Sequence, residues 1–164
     1  MLEAVVIELD HHGADFDRAF VLGYSSGGNL THHLAVQLRA DSADLAPVRL
    51  RGYMLLSPLF GGTVQTKFWR LTVPIGENQD YWLVNPFGPF SPSLAAVVLA
   101  PMLVVVGGSE IMRERVNDYA TKLQNLGKRI EYVELKGETH PLSAAAKKVI
   151  QITKRFMTMY CNSN

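Results

Sequence analysis

A serine in the first quarter of the chain has the neighbours that a nucleophile requires. Ser25 is the middle residue of Gly23-Tyr-Ser-Ser-Gly27, which follows the apolar run 20–22 and precedes a segment with helical periodicity. A strand, a sharp turn and a helix in that order would hold the Ser25 hydroxyl exposed above the helix N-terminus. The backbone N–H of Ser26 would then point toward an oxyanion that develops beside the serine. The motif therefore predicts acyl transfer through Ser25, with Ser26 as an oxyanion-hole donor.

The two glycines of this motif are part of the same prediction. Gly23 and Gly27 are expected because a strained turn brings backbone segments too close together for a Cβ atom. The alternative interpretation of these residues is a plain Gly/Ser turn between a strand and a helix, with no chemistry of its own beyond holding a phosphate.

A serine hydroxyl needs a base to take its proton, and the base needs an acid that fixes its tautomer. Of the five histidines, His140 is the candidate base because it follows the apolar run 130–135 through Lys-Gly-Glu-Thr. This places it just past the end of a predicted strand, although an ordinary loop histidine is the alternative. The other four are expected to be packing or surface residues, or to lie in chain without a clear pattern: His11, His12, His32 and His33.

Glu110 is the candidate acid. It follows the apolar run 102–106 through Gly107-Gly-Ser109, so its carboxylate can reach a histidine on the loop after the next strand. The order serine, acid, histidine along the chain is one that strand-ending triads use. The alternative role for Glu110 is an acid that interacts favourably with a helix N-terminus. Glu114 and Asp118 are expected on an exposed helix face.

Alternating strands and helices would position these residues. Strands are predicted at 19–22, 52–56, 102–106 and 130–135, and helices at 27–39, 113–126 and 143–160. The alternation of helices with apolar strands predicts an α/β fold, with a parallel sheet of about four strands and helices on both faces. Gly127 is expected to end the middle helix, since glycine favours the left-handed conformation that follows many helices.

The whole chain, 1–164, is predicted to be a single, partial domain. Its segment 58–100 is rich in Gly, Pro and aromatic residues and is predicted to be an irregular lid or loop insertion. A short helix is expected at 67–71 within this segment.

Composition limits the classes of function. Of 164 residues, 48% are hydrophobic and the net charge is +1, which gives no electrostatic reason to expect nucleic acid or an anionic membrane as partner. Cys161 is the single cysteine, so no internal disulfide is expected. No secretory signal or membrane span is predicted, so we expect a soluble, cytoplasmic protein. The sequence predicts neither a metal nor an organic cofactor, and the expected partner is a small-molecule ester.

From Asp15 to about Met159 the sequence resembles plant carboxylesterases of the hormone-sensitive-lipase-like branch of the α/β-hydrolases. The resemblance rests on five stretches, at 15–29, 48–62, 85–89, 105–110 and 133–140. It implies an α/β-hydrolase fold and ester hydrolysis through an acyl-enzyme. It also implies Ser25 as nucleophile, His140 as base and Glu110 as acid, where the family more often has Asp.

The sequence also departs from this family. Tyr24 stands where the family usually has Asp, and His11-His12-Gly13 does not reproduce the family's His-Gly-Gly-Gly oxyanion loop. The first strands of the sheet are not found either, so the chain is expected to be the C-terminal part of an esterase. The serine strand would then have an exposed edge through which copies self-associate.

Impaired turnover is expected, because the loss of one oxyanion donor typically costs about 10²–10³-fold in rate. Two alternatives remain open. One is a ligand-binding pseudoenzyme like the gibberellin receptors of the same branch, which keep the serine but lack the catalytic histidine. The other is an inactive, truncated fragment.

Overall fold

Four parallel strands, side by side in chain order, form the sheet. The computed structural model describes residues 13, 15–39, 45–61, 74–77, 80–140, 142 and 145–161. The strands are β1 (Ala19–Tyr24), β2 (Leu50–Leu56), β3 (Met102–Gly107) and β4 (Ile130–Leu135), and the helices are α1 (Ser26–Leu38), α2 (Arg113–Asn125) and α3 (Ala146–Cys161). The predicted α/β fold is confirmed, with each element within three residues of its expected bounds. The short helix predicted at 67–71, and His11 and His12, lie outside the described residues.

Helices cover both faces of the sheet, as the sequence predicts. Successive residues of β3 alternate between the faces, and all of them are buried. Met102, Val104 and Val106 pack in the cluster that includes residues of α1 and α2. Leu103 and Val105 pack in the second cluster, with Phe156 of α3. Burial of the sheet on both faces explains why its inner strands are continuously apolar.

Helix α2 ends where the sequence predicts. Gly127 has φ +71°, and its N–H donates to the Gln124 carbonyl at 2.9 Å. The Lys128 N–H donates to the Leu123 carbonyl at 3.0 Å, which completes a pair of bonds typical of helix C-termini. The chain is thereby turned directly into β4, which leads to His140.

Turns make up the described parts of the segment predicted to be irregular. Residues 58–61, 74–77 and 80–100 contain no helix or strand. Lys128, which lies two residues before β4, is hydrogen-bonded to this segment. Its Nζ donates to the carbonyls of Ala95 and Val97 at 2.8 and 2.7 Å. Among the helices of the described residues, none is both long and apolar enough to cross a membrane.

Strand β1 is one of the two edge strands of the described sheet, and β4 is the other. It pairs in parallel with β2, from Ala19 opposite Leu50 to Tyr24 opposite Leu56. Leu22 is 51% exposed although it lies within this strand.

Candidate active site

The carboxyl ends of all four strands meet at one edge of the sheet. Ser25 follows β1 directly, Ser57 follows β2 directly, Glu110 is the third residue after β3, and His140 is the fifth after β4. In open parallel sheets this edge is where ligands bind. The residues that the sequence predicts for chemistry are therefore gathered on one side of the fold.

Backbone hydrogen bonds join the neighbouring loops along this edge. They run from the Ser25 N–H to the Leu56 carbonyl (2.9 Å), from the Ser57 N–H to the Val105 carbonyl (2.7 Å), and from the Gly108 N–H to the Leu135 carbonyl (2.8 Å). Since each loop is bonded to the next strand or loop, the side chains they carry are held in fixed relation.

The turn at Ser25 is strained, as a nucleophile elbow requires. Ser25 has φ 55° and ψ −118°, a conformation that costs a non-glycine residue on the order of 1–3 kcal/mol. Helix α1 begins at the next residue, Ser26, and the first N–H groups of a helix have no partner inside it. The turn is held from the other side because the Ser25 carbonyl accepts from the Leu59 N–H at 3.0 Å.

The glycines of the motif have different roles from those expected. A Cβ on Gly23 would lie 2.1 Å from the Gly27 carbonyl oxygen, so the expectation for Gly23 is confirmed. Among the described residues, a Cβ on Gly27 would meet nothing within 4 Å, so the expectation of crowding there is wrong for this part of the chain. The crowded position is the next one, since a Cβ on Gly28 would lie 2.9 Å from Pro58. The physical reason is that Gly28 faces the loop after β2, while Gly27 faces open space.

Glu110 and His140 are in direct contact. His140 Nδ1 lies 2.8 Å from Glu110 Oε1, with the histidine side chain 35% exposed and the glutamate side chain fully buried. An ionised carboxylate can only accept, so Nδ1 carries the hydrogen and Nε2 is left with a free lone pair. This is the tautomer that a general base requires.

The second oxygen of Glu110 is also fully used. Oε2 accepts from the Ser57 hydroxyl at 2.8 Å and from the Gly107 N–H at 3.0 Å. These bonds satisfy a buried carboxylate that would otherwise be costly to desolvate. They also hold the carboxylate in place beside His140.

The loop that carries His140 is bonded to the loop that carries Glu110. The Ser109 N–H donates to the Glu138 carbonyl at 2.9 Å. A Cβ on Gly107 would lie 2.6 Å from that same carbonyl oxygen, so this close approach needs glycine. Gly107 therefore allows the base and the acid to come together.

His140 contacts Tyr24, the residue that directly precedes Ser25. The Tyr24 and His140 rings are stacked, with centroids 5.1 Å apart and planes 11° from parallel. In the described part of the structure, the His140 ring is hydrogen-bonded to Glu110, and no hydrogen bond joins it to the Ser25 hydroxyl. The structure thus pairs two of the three predicted residues and brings the histidine against the residue that precedes the third.

Ser57 is the residue that sequence reasoning missed. Its side chain is fully buried, and its φ of 43° is unusual for a non-glycine residue. The available signal was its position directly after a buried strand, which is the argument that selects Glu110.

The other histidines and acids considered in the sequence analysis, where they are described, lie in packing or surface positions as expected. His32 is 2% exposed, and its Nδ1 lies 2.8 Å from the Tyr119 hydroxyl. Burial lowers the pKa of His32 to about 3, and the neighbouring His33 acts in the same direction. The remaining groups are a half-buried histidine bonded to the Leu83 carbonyl and two exposed acids of α2: His33, Glu114 and Asp118. In the described ranges no group of three or more His, Cys, Asp or Glu residues is placed to hold a metal ion.

Known proteins resemble this chain in sequence. Residues 1–143 match the family described as alpha/beta hydrolase fold. Tuliposide B-converting enzyme 1 of Tulipa gesneriana is 34% identical over 138 residues, covering 76% of this chain and 28% of that protein. A gibberellin receptor of Arabidopsis thaliana is 31% identical over 140 residues, covering 74% and 39%. Probable carboxylesterase 9 of the same plant is 30% identical over 136 residues, covering 72% and 41%.

Solved structures resemble it in fold. A thermostable esterase from Pseudomonas putida superposes with a TM-score of 0.76 at 20% identity, over 99% of this chain and 57% of that chain. The chain spans less than half the length of the curated relatives named above. The family match, the sheet order and the strained serine turn agree. The chain belongs to the α/β-hydrolase fold family, in the hormone-sensitive-lipase-like branch that includes plant carboxylesterases.

Proposed function

We propose that this chain is a serine esterase that hydrolyses small carboxylic esters through an acyl-enzyme. Ser25 is the nucleophile, His140 the general base and Glu110 the acid that orients the base. The observation that carries this proposal is the 2.8 Å contact between His140 Nδ1 and the buried Glu110 carboxylate, at the sheet edge where the strained Ser25 lies.

The reaction follows from this arrangement. His140 Nε2 removes the Ser25 hydroxyl proton as Oγ attacks the ester carbonyl carbon, and the carbonyl oxygen becomes an oxyanion. The imidazolium then gives that proton to the departing alcohol as the C–O bond of the ester breaks. A water molecule, deprotonated by the same nitrogen, then attacks the acyl carbon. The bond from that carbon to Ser25 Oγ breaks, the imidazolium returns the proton to Oγ, and the carboxylic acid leaves. Hydrogen bonds of this kind often tighten only when substrate binds, which is consistent with the lack of a bond between the Ser25 hydroxyl and His140 in the described part of the structure.

The Ser26 N–H is the oxyanion donor in this proposal. It belongs to the first turn of α1, where backbone N–H groups and the helix dipole favour negative charge. Hydrolases of this fold use further donors from a loop upstream of the serine. Removing one oxyanion donor typically slows turnover by about 10²–10³-fold.

Ligand binding without turnover is the second candidate, because gibberellin receptors are among the relatives. The Glu110–His140 pair favours the enzyme. A binding protein has no need to fix the tautomer of a histidine beside the serine turn.

Hydrolysis of p-nitrophenyl acetate tests the proposal. We expect release of p-nitrophenol by the wild-type chain and its loss in both Ser25→Ala and His140→Ala. Ser93→Ala is the matched control, because Ser93 lies outside the site and its hydroxyl accepts only a long 3.4 Å bond from the Ala95 N–H. An inactive wild type with a cooperative thermal melt would favour the binding protein, and an inactive chain without such a melt would favour an inert fragment.

A further inference from the structure

Tyr24 covers one face of the His140 ring. It is the last residue of β1 and directly precedes Ser25. The rings are nearly parallel, and their centroid separation of 5.1 Å corresponds to offset stacking. The His140 side chain is 35% exposed, and Tyr24 covers part of it.

A stacked ring supplies a constraint that Glu110 cannot supply. The bond from Nδ1 to Glu110 Oε1 fixes one edge of the imidazole, but the ring can still swing about that bond. An aromatic ring against the imidazole face blocks the swing. Because Tyr24 is adjacent to the nucleophile in sequence, the constraint also ties the position of the base to that of the serine turn.

The Tyr24 hydroxyl is protonated when it covers His140. Burial raises the pKa of the Tyr24 hydroxyl, and a hydrogen-bond interaction with the Leu142 backbone opposes this effect. Since the pKa of Tyr24 is raised, its ring is a neutral phenol at ordinary pH.

The stacking should also strengthen during the reaction. The face of a tyrosine ring attracts a cation, and His140 becomes a cation when it takes the serine proton. An interaction that is stronger in the transition state than in the ground state raises kcat rather than lowering KM.

We propose that Tyr24 is a positioning residue for His140, holding the imidazole plane beside Ser25 and stabilising the imidazolium. This inference rests on the proposed esterase function.

The test compares kcat and KM for p-nitrophenyl acetate in the wild type, Tyr24→Phe and Tyr24→Leu. Phenylalanine keeps the ring, and leucine keeps apolar bulk without it. We expect Tyr24→Phe to stay within about twofold of the wild type, and Tyr24→Leu to lose roughly three- to tenfold in kcat with little change in KM. Tyr24→Met serves as a second non-aromatic variant in case leucine disturbs folding.

Several results would overturn the inference. A Tyr24→Leu enzyme with wild-type kcat would remove it and leave the esterase function standing, as would a Tyr24→Phe enzyme as slow as the leucine variant. If neither non-aromatic variant melts cooperatively, Tyr24 is a folding residue and the inference is wrong. A wild-type chain that does not hydrolyse the ester would overturn the proposed function, and the inference with it.

Discussion

The Ser57 hydroxyl donates a 2.8 Å hydrogen bond to Oε2 of Glu110, and both side chains are buried. Because Oε1 of the same carboxylate contacts His140, this bond limits rotation of the carboxylate and so of the imidazole. Replacing Ser57 removes a donor from a buried charge, which costs about 1–3 kcal/mol.

Ser57→Ala and Ser57→Gly separate this effect from backbone strain. Both variants lose the hydroxyl, so we expect a similar fall of about tenfold in kcat/KM, by analogy with a bond to a charged group worth about 1.5 kcal/mol. Glycine tolerates the φ of 43° better than alanine, so Ser57→Gly should be the more stable of the two in urea unfolding. Unchanged ester hydrolysis in both variants would show that Ser57 does not support Glu110.

Glu110→Gln tests the acid with little change of volume. An amide can present its NH₂ group to His140 Nδ1 and favour the wrong tautomer. We expect kcat to fall by about 10²–10⁴-fold, the upper value being that seen when a triad acid becomes its amide. Glu110→Asp should retain more activity, because the shorter side chain is still an acceptor. Equal rates for the wild type and the glutamine variant would rule out Glu110 as the acid.

Gly23→Ala and Gly27→Ala are a matched pair within one motif. The first introduces a Cβ 2.1 Å from a backbone oxygen, and we expect it to destabilise the fold by 3 kcal/mol or more, above the ~1–3 kcal/mol of ordinary overpacking. The second has open space and lies in a helix, so it should be neutral or stabilising by up to about 1 kcal/mol. Urea unfolding measures both, and equal destabilisation would contradict the packing described at the serine turn.

His32 should make folding stability depend on pH. Burial lowers its folded pKa to about 3, whereas an unfolded histidine titrates near 6.5. As the pH falls, His32 therefore takes up a proton in the unfolded chain before it does so in the folded protein. The free energy of unfolding decreases from about pH 6.5 down toward pH 3, by up to about 1.4 kcal/mol per pH unit.

His32→Gln isolates this contribution, because the other titrating groups remain in both proteins. Between pH 7 and pH 5 the wild type should lose about 2 kcal/mol more unfolding free energy than the variant. Identical losses in urea titrations at the two pH values would mean that His32 is not buried in its neutral form.

The sequence predicts the strands, and the pairing of Glu110 with His140, where an apolar run gives way sharply to polar residues. Glu110 follows the buried strand β3 and His140 follows the partly exposed strand β4, and parallel strands bring such positions to one edge. Strand β2 begins at Leu50, two residues before its predicted start. The prediction began too late because the charged Arg51 interrupts the apolar pattern. The structure accommodates this arginine at the strand end, where its Nε donates to the Asp17 carbonyl.

The directions of side chains and the contacts between distant loops could not be predicted from the sequence. The bond of Ser57 to Glu110 joins residues 53 positions apart, and no local pattern indicates it. The crowding expected at Gly27 belongs to Gly28, because the path of the loop around Pro58 decides which glycine is approached. The stacking of Tyr24 on His140 likewise depends on the return of a loop from the far end of the sheet.

Peptide mapping after reaction with a fluorophosphonate tests most directly whether Ser25 is a histidine-activated nucleophile. We expect a single phosphonyl adduct on Ser25 of the folded wild type, forming at least about 10²-fold more slowly in His140→Ala. A folded chain with no adduct on Ser25, or with one that forms equally fast without the imidazole, would contradict the account.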